Sequence, residues 1–222
     1  MVNQRGRAMR LRDPYGEAVN AIRTQLRSGA LVMGEQLTAA EISRALNLSQ
    51  TPVREAFARL AGEGLIEERR GSGFFAWRLD AVDLIELYDL QAAYLRAALE
   101  PQFVSGDGRW AAAAELVAAR AEHEPQTAVE VVFHHLLQEG RNLALQRAHR
   151  LLSDRLAAPR RAEAEVLPLP QVAEEWSVLS ALLSRGGLRD LLAWIDAYHA
   201  LRRGAAGAVV AAMRSRAQAQ PL

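Results

Sequence analysis

The sequence predicts a mainly α protein in two parts, and three observations predict it. Apolar residues recur three and four apart along most of the chain, the spacing that lines one face of a helix. Two short β-like runs joined by a glycine-bearing turn follow the first three helical stretches. The charge is unevenly shared: residues 1–78 hold 12 Arg against 8 acidic residues, a net +4, whereas residues 79–222 hold 15 against 18, a net −3. With 222 residues, half of them hydrophobic and 24% charged, the chain has the length and composition for two ordinary cores. It contains no cysteine, which excludes disulfide frameworks, thiolate metal sites and cysteine nucleophiles. Met1–Arg12 carries four arginines with no apolar stretch behind them, and no later run reaches the length of a membrane span. A cytoplasmic protein with no membrane partner is the expectation.

The elements follow in order. A first helix is expected from Pro14 to about Leu31, with Asp13 as N-cap, Pro14 at the first helical position, and Val19, Ile22 and Leu26 at helical spacing. Thr38 followed three residues later by Glu41 is a capping-box pattern, so a short second helix is expected over Ala39–Leu46. Ser49 can cap a third helix beginning near Gln50, with Pro52 in its first turn, Val53, Phe57 and Leu60 on one face, and Gly62 and Gly64 closing it. Leu65–Glu68 and Phe74–Trp77 read as two strands of a hairpin around Arg69-Arg70-Gly71-Ser72-Gly73. Beyond a joint at Trp77–Asp80 the pattern is helical only. One stripe runs through Leu84, Leu87, Tyr88, Gln91, Tyr94, Leu95 and Ala98, and further helices are expected over about 108–123, 125–140, 142–165, 170–185 and 187–214, with a frayed tail after them. The expected architecture is thus an N-terminal winged helix-turn-helix with a small β-hairpin wing over residues 1–78, followed by an all-α helical bundle over residues 79–222.

Two short helices joined by a tight turn, the second opening on small polar and cationic residues, can present a helix N-terminus to the major groove of double-stranded DNA. Gln50 can read adenine through its amide, Arg54 can grip guanine or a phosphate, and the Thr51 hydroxyl can bond a phosphate. Arg70, next to Gly71 in the wing, can lay a guanidinium along the minor groove. Taken singly, each residue also reads as ordinary capping or a solvated charge; their order on one module favours DNA. The stretch LTAAEISRALNLSQTPVREAFARLAGEGL, Leu37–Leu65, resembles the winged helix-turn-helix signature of the GntR family. That resemblance implies that Gln50, Thr51, Arg54, Arg70 and Gly71 occupy DNA-contact positions. The family's usual arginine after the serine is Gln50 here, which shifts the preferred base from guanine towards adenine.

The helical remainder resembles the FadR-type (FCD) ligand-binding domain of the same family. The resemblance implies an effector pocket lined by Gln91, Glu130, His134, Trp176 and His199. Its metal-binding form holds a divalent cation on an Asp and a His four apart plus two later histidines. Glu130 and His134 match the first pair and His199 the last histidine, so these three are the candidate metal ligands. Trp176 stands where the middle histidine is expected, and Gln91 where an arginine is. No cofactor is fixed by the residues themselves, and Glu130, His134 and His199 read equally as a local helix pair and a core histidine. His123, His135 and His149 read as surface or rim residues.

The expectation is therefore a homodimeric, sequence-specific transcriptional regulator, a repressor, controlled by a small-molecule metabolite in the helical domain. The alternative is a regulator whose degenerate helical domain serves only dimerisation or partner binding. An enzyme is not expected: no nucleophile stands at motif spacing from a base, and there is no phosphate-binding glycine loop.

Overall fold

Asp13 opens the first helix as its position predicts, its carboxylate accepting from the Gly16 amide at 3.0 Å. In this computed structural model, which describes residues 13–104, 113–115, 117, 125–185 and 187–219, helix α1 spans Pro14–Ser28. It stops three residues short of the expected Leu31 because Gly29 adopts the left-handed conformation (φ 75°) and its N–H returns to Gln25 and Leu26. Helix α2 (Ala39–Leu46) is capped by Thr38, whose hydroxyl accepts from the Glu41 amide at 3.4 Å. Asn47 at φ 52° makes the turn into helix α3 (Gln50–Gly62). Ser49 holds the cap position of α3 by backbone geometry, without a side-chain capping hydrogen bond.

The hairpin strands sit within one residue of their expected positions, β2 at Ile66–Arg69 and β3 at Gly73–Ala76. A strand the pattern did not signal, β1 (Gln36–Leu37), adds to β3 and makes a three-stranded antiparallel sheet in the order β1-β3-β2. Its pairing, Gln36 with Phe75 and Leu37 with Phe74, fastens the start of α2 to the wing. Two residues are too few to show a period of 2, so this strand was not readable as one. Ala18, Val19 and Ile22 of α1 meet Val53, Phe57 and Leu60 of α3 and Ile66 and Ala76 of the hairpin in one buried core. Each large side chain so buried contributes about 1.5–3 kcal/mol.

Helix α4 (Ala81–Val104) carries the expected stripe, with Leu84, Leu87, Tyr88, Gln91, Leu95 and Ala98 all buried. Residues 113–115 and 117 are helical; the rest of the expected 108–123 helix, and His123, lie outside the described residues. Helices α5 (Pro125–Glu139), α6 (Leu143–Val166), α7 (Leu169–Arg185) and α8 (Leu188–Ala219) complete the bundle. The last runs five residues past its expected end at 214, through Ser-Arg-Ala-Gln-Ala, where Ala, Arg and Gln favour helix. One core gathers Leu95, Leu99, Phe133, Leu179, Ile195 and Tyr198. A second joins Leu84 and Tyr88 to Leu152, Leu156 and Val209, with Met33 and Trp77 packed against it from the N-terminal side. Among the described residues no helix is long and apolar enough to cross a membrane.

Candidate nucleic-acid interface and effector centre

Helix α3 turns its apolar residues inward and leaves its first turn to solvent. Val53, Ala56, Phe57 and Leu60 are buried, whereas Gln50, Thr51 and Arg54 are exposed. Four residues apart, Gln50 and Arg54 share a face, and an Arg54 Nη2–H donates to Gln50 Oε1 at 3.2 Å. A contact between two exposed side chains is weak, so either can exchange it for an outside partner. The wing lies beside them: Gln36, Thr38, Gln50, Arg54 and Phe74 line one open groove between the sheet and α3.

Arg70 and Gly71 stand exposed at the tip, where Gly71 takes φ 74° and a Cβ on it would meet no atom within 4 Å. That leaves open space for close approach of another backbone. Neighbouring Arg69 is committed inside the wing. It donates to Glu67 at 2.7 and 3.0 Å and stacks 4.1 Å over the Phe75 ring, while hydrogen bonding from Arg69 holds the Glu67 carboxyl below its ordinary pKa. Of the five expected DNA residues, the structure brings Gln50 and Arg54 together, keeps Thr51 on the same turn, and places Arg70 and Gly71 on the neighbouring wing tip.

Of the five expected effector residues, Gln91, Glu130 and His199 lie around the buried Arg160, His134 sits one turn from Glu130, and Trp176 lines another cleft. Gln91 is fully buried and faces α6, where its amide carbonyl accepts from Arg160 Nη2 at 3.0 Å and its nitrogen lies 3.3 Å from His149 Nε2. Both Glu130 oxygens accept from Arg27 of α1 at 2.8 Å, and Arg160 Nη1 approaches Glu130 at 4.0 Å from the other side. His134 pairs with Gln138 at 2.9 Å. Trp176 lines a separate cleft with Tyr198 and Arg202. His199 is buried, stacked on Phe133, with Nδ1–H donating to the Ile195 carbonyl at 2.7 Å and Nε2 lacking a partner. Burial lowers His199 from 6.5 to about 4, and burial together with nearby Arg160 lowers His149 to about 3, so both rings are neutral at neutral pH.

The residues present do not fit a bound divalent cation. Among the described residues no group of three or more His, Cys, Asp or Glu side chains stands together in metal-holding geometry. Of the expected trio of Glu130, His134 and His199, Glu130 is paired to a guanidinium and His134 to an amide. Where the middle histidine was expected, the Trp176 indole offers no lone pair to a metal.

The residues that sequence reasoning missed are polar side chains of α6. His149, expected at the surface or rim, is wholly buried and bridges Gln91 and Ser153. Arg160 is 2% exposed, yet its Nε and Nη1 have no hydrogen-bond partner. A signal existed: positions 149, 153, 156, 160 and 163 fall on one helical face, the face that also buries Leu152 and Leu156. A second buried network is complete within itself. Glu163 accepts from Tyr88 at 2.6 Å and Arg202 at 3.0 Å, and Arg202 grips Glu175 through two further contacts at 3.0 Å.

Helix-turn-helix, wing and helical bundle together define the class by fold: a winged helix-turn-helix carried on a helical body. Residues 14–76, the winged helix-turn-helix, match the model of the bacterial regulatory proteins, gntR family. A helix-turn-helix transcriptional regulator of Agrobacterium vitis is 37% identical over 81 residues, 36% of this chain and 47% of that protein. The Nta operon transcriptional regulator of Aminobacter aminovorans is 42% identical over 59 residues, 27% of this chain and 28% of that protein. A D-xylose utilization operon repressor of Paenarthrobacter nicotinovorans is 39% identical over 69 residues, 31% of this chain and 30% of that protein. The matched stretches thus span less than half of each of these relatives.

Over nearly the whole chain the likeness is one of fold. A GntR transcriptional regulator from Rhodococcus sp. RHA1 superposes with a TM-score of 0.68 at 20% identity, covering 86% of this chain and 96% of that one. The E. coli protein McbR/YncC superposes with a TM-score of 0.57 at 19% identity, covering 94% and 97%.

Proposed function

We propose that this protein is a sequence-specific, homodimeric transcriptional regulator, a repressor, that binds operator DNA through α3 and the wing and is controlled by a small metabolite in its helical part. The observation that carries the proposal is the exposure of Gln50, Thr51 and Arg54 on the first turn of α3, beside the Arg70–Gly71 wing tip, within a gntR-family module. A helix N-terminus so equipped reads base edges in the major groove, while wing and hydroxyl contacts to phosphate fix its register. One module covers few base pairs; a two-fold pair covers two half-sites, which is the reason for a dimer. The test is binding of fluorescent operator duplex at fixed salt. Arg54→Ala costs about 1–3 kcal/mol if Arg54 grips a guanine, and unchanged affinity removes Arg54 from the reading face.

For the effector, the supporting observation is the unbalanced polarity around Arg160. A guanidinium 2% exposed, with two nitrogens unpaired and its nearest carboxylate 4.0 Å away, is short of acceptors, and His199 Nε2, on a ring that feels the Arg160 charge, is an acceptor short of a donor. A small carboxylate bearing a hydroxyl supplies both. A thermal-shift panel of such acids is expected to raise Tm by mass action. A flat response across the panel favours the second reading, a helical domain used only for dimerisation or partner binding. That reading draws on Trp176 at a ligand position and on the engagement of Glu130 by Arg27.

A further inference from the structure

A cavity of about 90 Å³ opens where the N-terminal module rests on the helical bundle. Its walls are apolar: Leu31, Met33 and Leu79 come from the N-terminal side and the joint, and Ala158, Pro159 and Met213 from α6 and α8. Asp154, Arg155 and Arg216 break this lining, and of the two cations Arg155 is the one short of partners. The Arg155 guanidinium lies 3.8 Å over the Trp77 ring, and its buried Nε has no hydrogen-bond partner. Stacking on an indole fixes the plane of a guanidinium but satisfies none of its N–H groups in that plane. Burial lowers the Arg155 pKa, opposed by Asp83, a sign of a cation short of compensating charge. The other ionic groups at the cavity are already engaged. Asp154 accepts from Arg27 at 2.7 Å and lies 3.5 Å from Arg23, and Arg216 is paired with Glu165 and donates to the Arg161 carbonyl.

We propose that this seam cavity binds a small organic acid with a compact apolar body, its carboxylate on Arg155 and its body against Met33, Leu79 and Met213. The site is separate from the buried centre around Arg160 and goes beyond the operator-binding reading. Apolar walls with one oriented donor are the usual composition of a small-molecule site, and the size limits the occupant to a fragment-like acid. Because both modules contribute walls, a bound acid bridges them. It sits beside the Arg27–Asp154 pair that joins α1 to α6, so occupancy biases how the DNA-binding module is held.

Benzoate is the probe, titrated into the full chain at constant ionic strength and followed by tryptophan fluorescence and by calorimetry. The ligand is small, so affinity in the millimolar range is expected. The expected result is saturable binding whose fluorescence signal disappears in Trp77→Phe, which weakens about tenfold or more in Arg155→Gln and for neutral benzamide, and which is lost in Ala158→Phe, where the new ring fills the cavity. Binding unchanged in Arg54→Ala separates this site from the operator face. Absence of saturable binding up to about 10 mM overturns the proposal. So does equal affinity for benzamide, or benzoate binding that survives both Arg155→Gln and Ala158→Phe in variants that melt cooperatively.

Discussion

At the scale of single residues, the exposed face of α3 was legible and the buried polar centre only half so. Gln50, Thr51 and Arg54 could be read from the chain because a capped helix start fixes which residues of the first turn face outward. Gln91 could be read as buried because it interrupts an apolar stripe. Its partners His149 and Arg160 could not, since they lie 58 and 69 residues away and only the packing of α4 on α6 brings them together. Two predictions belong here. Gln50→Arg shifts the preferred base from adenine towards guanine while leaving phosphate-driven affinity in place, and identical sites selected by both versions would remove Gln50 from base reading. The buried neutral histidines give the second. In the folded chain His199 titrates near 4 and His149 near 3, against 6.5 when unfolded, so between these values the unfolded chain binds more protons. Stability present above pH 6.5 is therefore lost as pH falls towards 4, by about 3 kcal/mol per histidine. Denaturant melts of the wild type and His199→Gln from pH 7 to 4 check this: the variant's stability falls less steeply, and parallel curves contradict it.

At the scale of elements, local signals placed the helices and missed what is set by contact. Caps at Asp13 and Thr38 marked the starts of α1 and α2, and Gly29 marks the true end of α1 more sharply than the later Leu31. Strand β1 exists because Gln36 and Leu37 meet β3, a pairing without a local signature. The same holds for the engagement of Glu130. As one of a Glu-x-x-x-His pair it read as a metal ligand; in the fold, α1 packs on α6 and brings Arg27 onto it. From there charges continue through Asp154 to Arg23, and Arg23 pairs with Glu63 at the C-terminal cap of α3. This series of ion pairs connects the neighbourhood of Arg160 to the end of the helix proposed to read DNA. A double-mutant cycle on Arg27→Ala and Glu130→Ala is expected to show about 1 kcal/mol of coupling in stability, reduced by salt. Additive effects would mean the pair does not hold the two parts together.

At the scale of the whole molecule, the charge division in the sequence and the division of cores in the fold coincide. The basic first third folds around its own core and carries the exposed Arg54 and Arg70, while the acidic remainder forms the helical body. On the proposed function such a molecule would approach DNA with one end, and the salt dependence of binding would follow the few phosphates that end neutralises. The proposed function requires that this end recognise a particular sequence as part of a two-fold pair. Selection from a random duplex library with the full-length protein, followed by sequencing, tests it most directly. Enrichment of one inverted repeat whose half-sites lie about one helical turn apart is expected, with enrichment lost in Arg54→Ala. A library that stays random through successive rounds, while duplex is still retained at low salt, would contradict sequence-specific recognition.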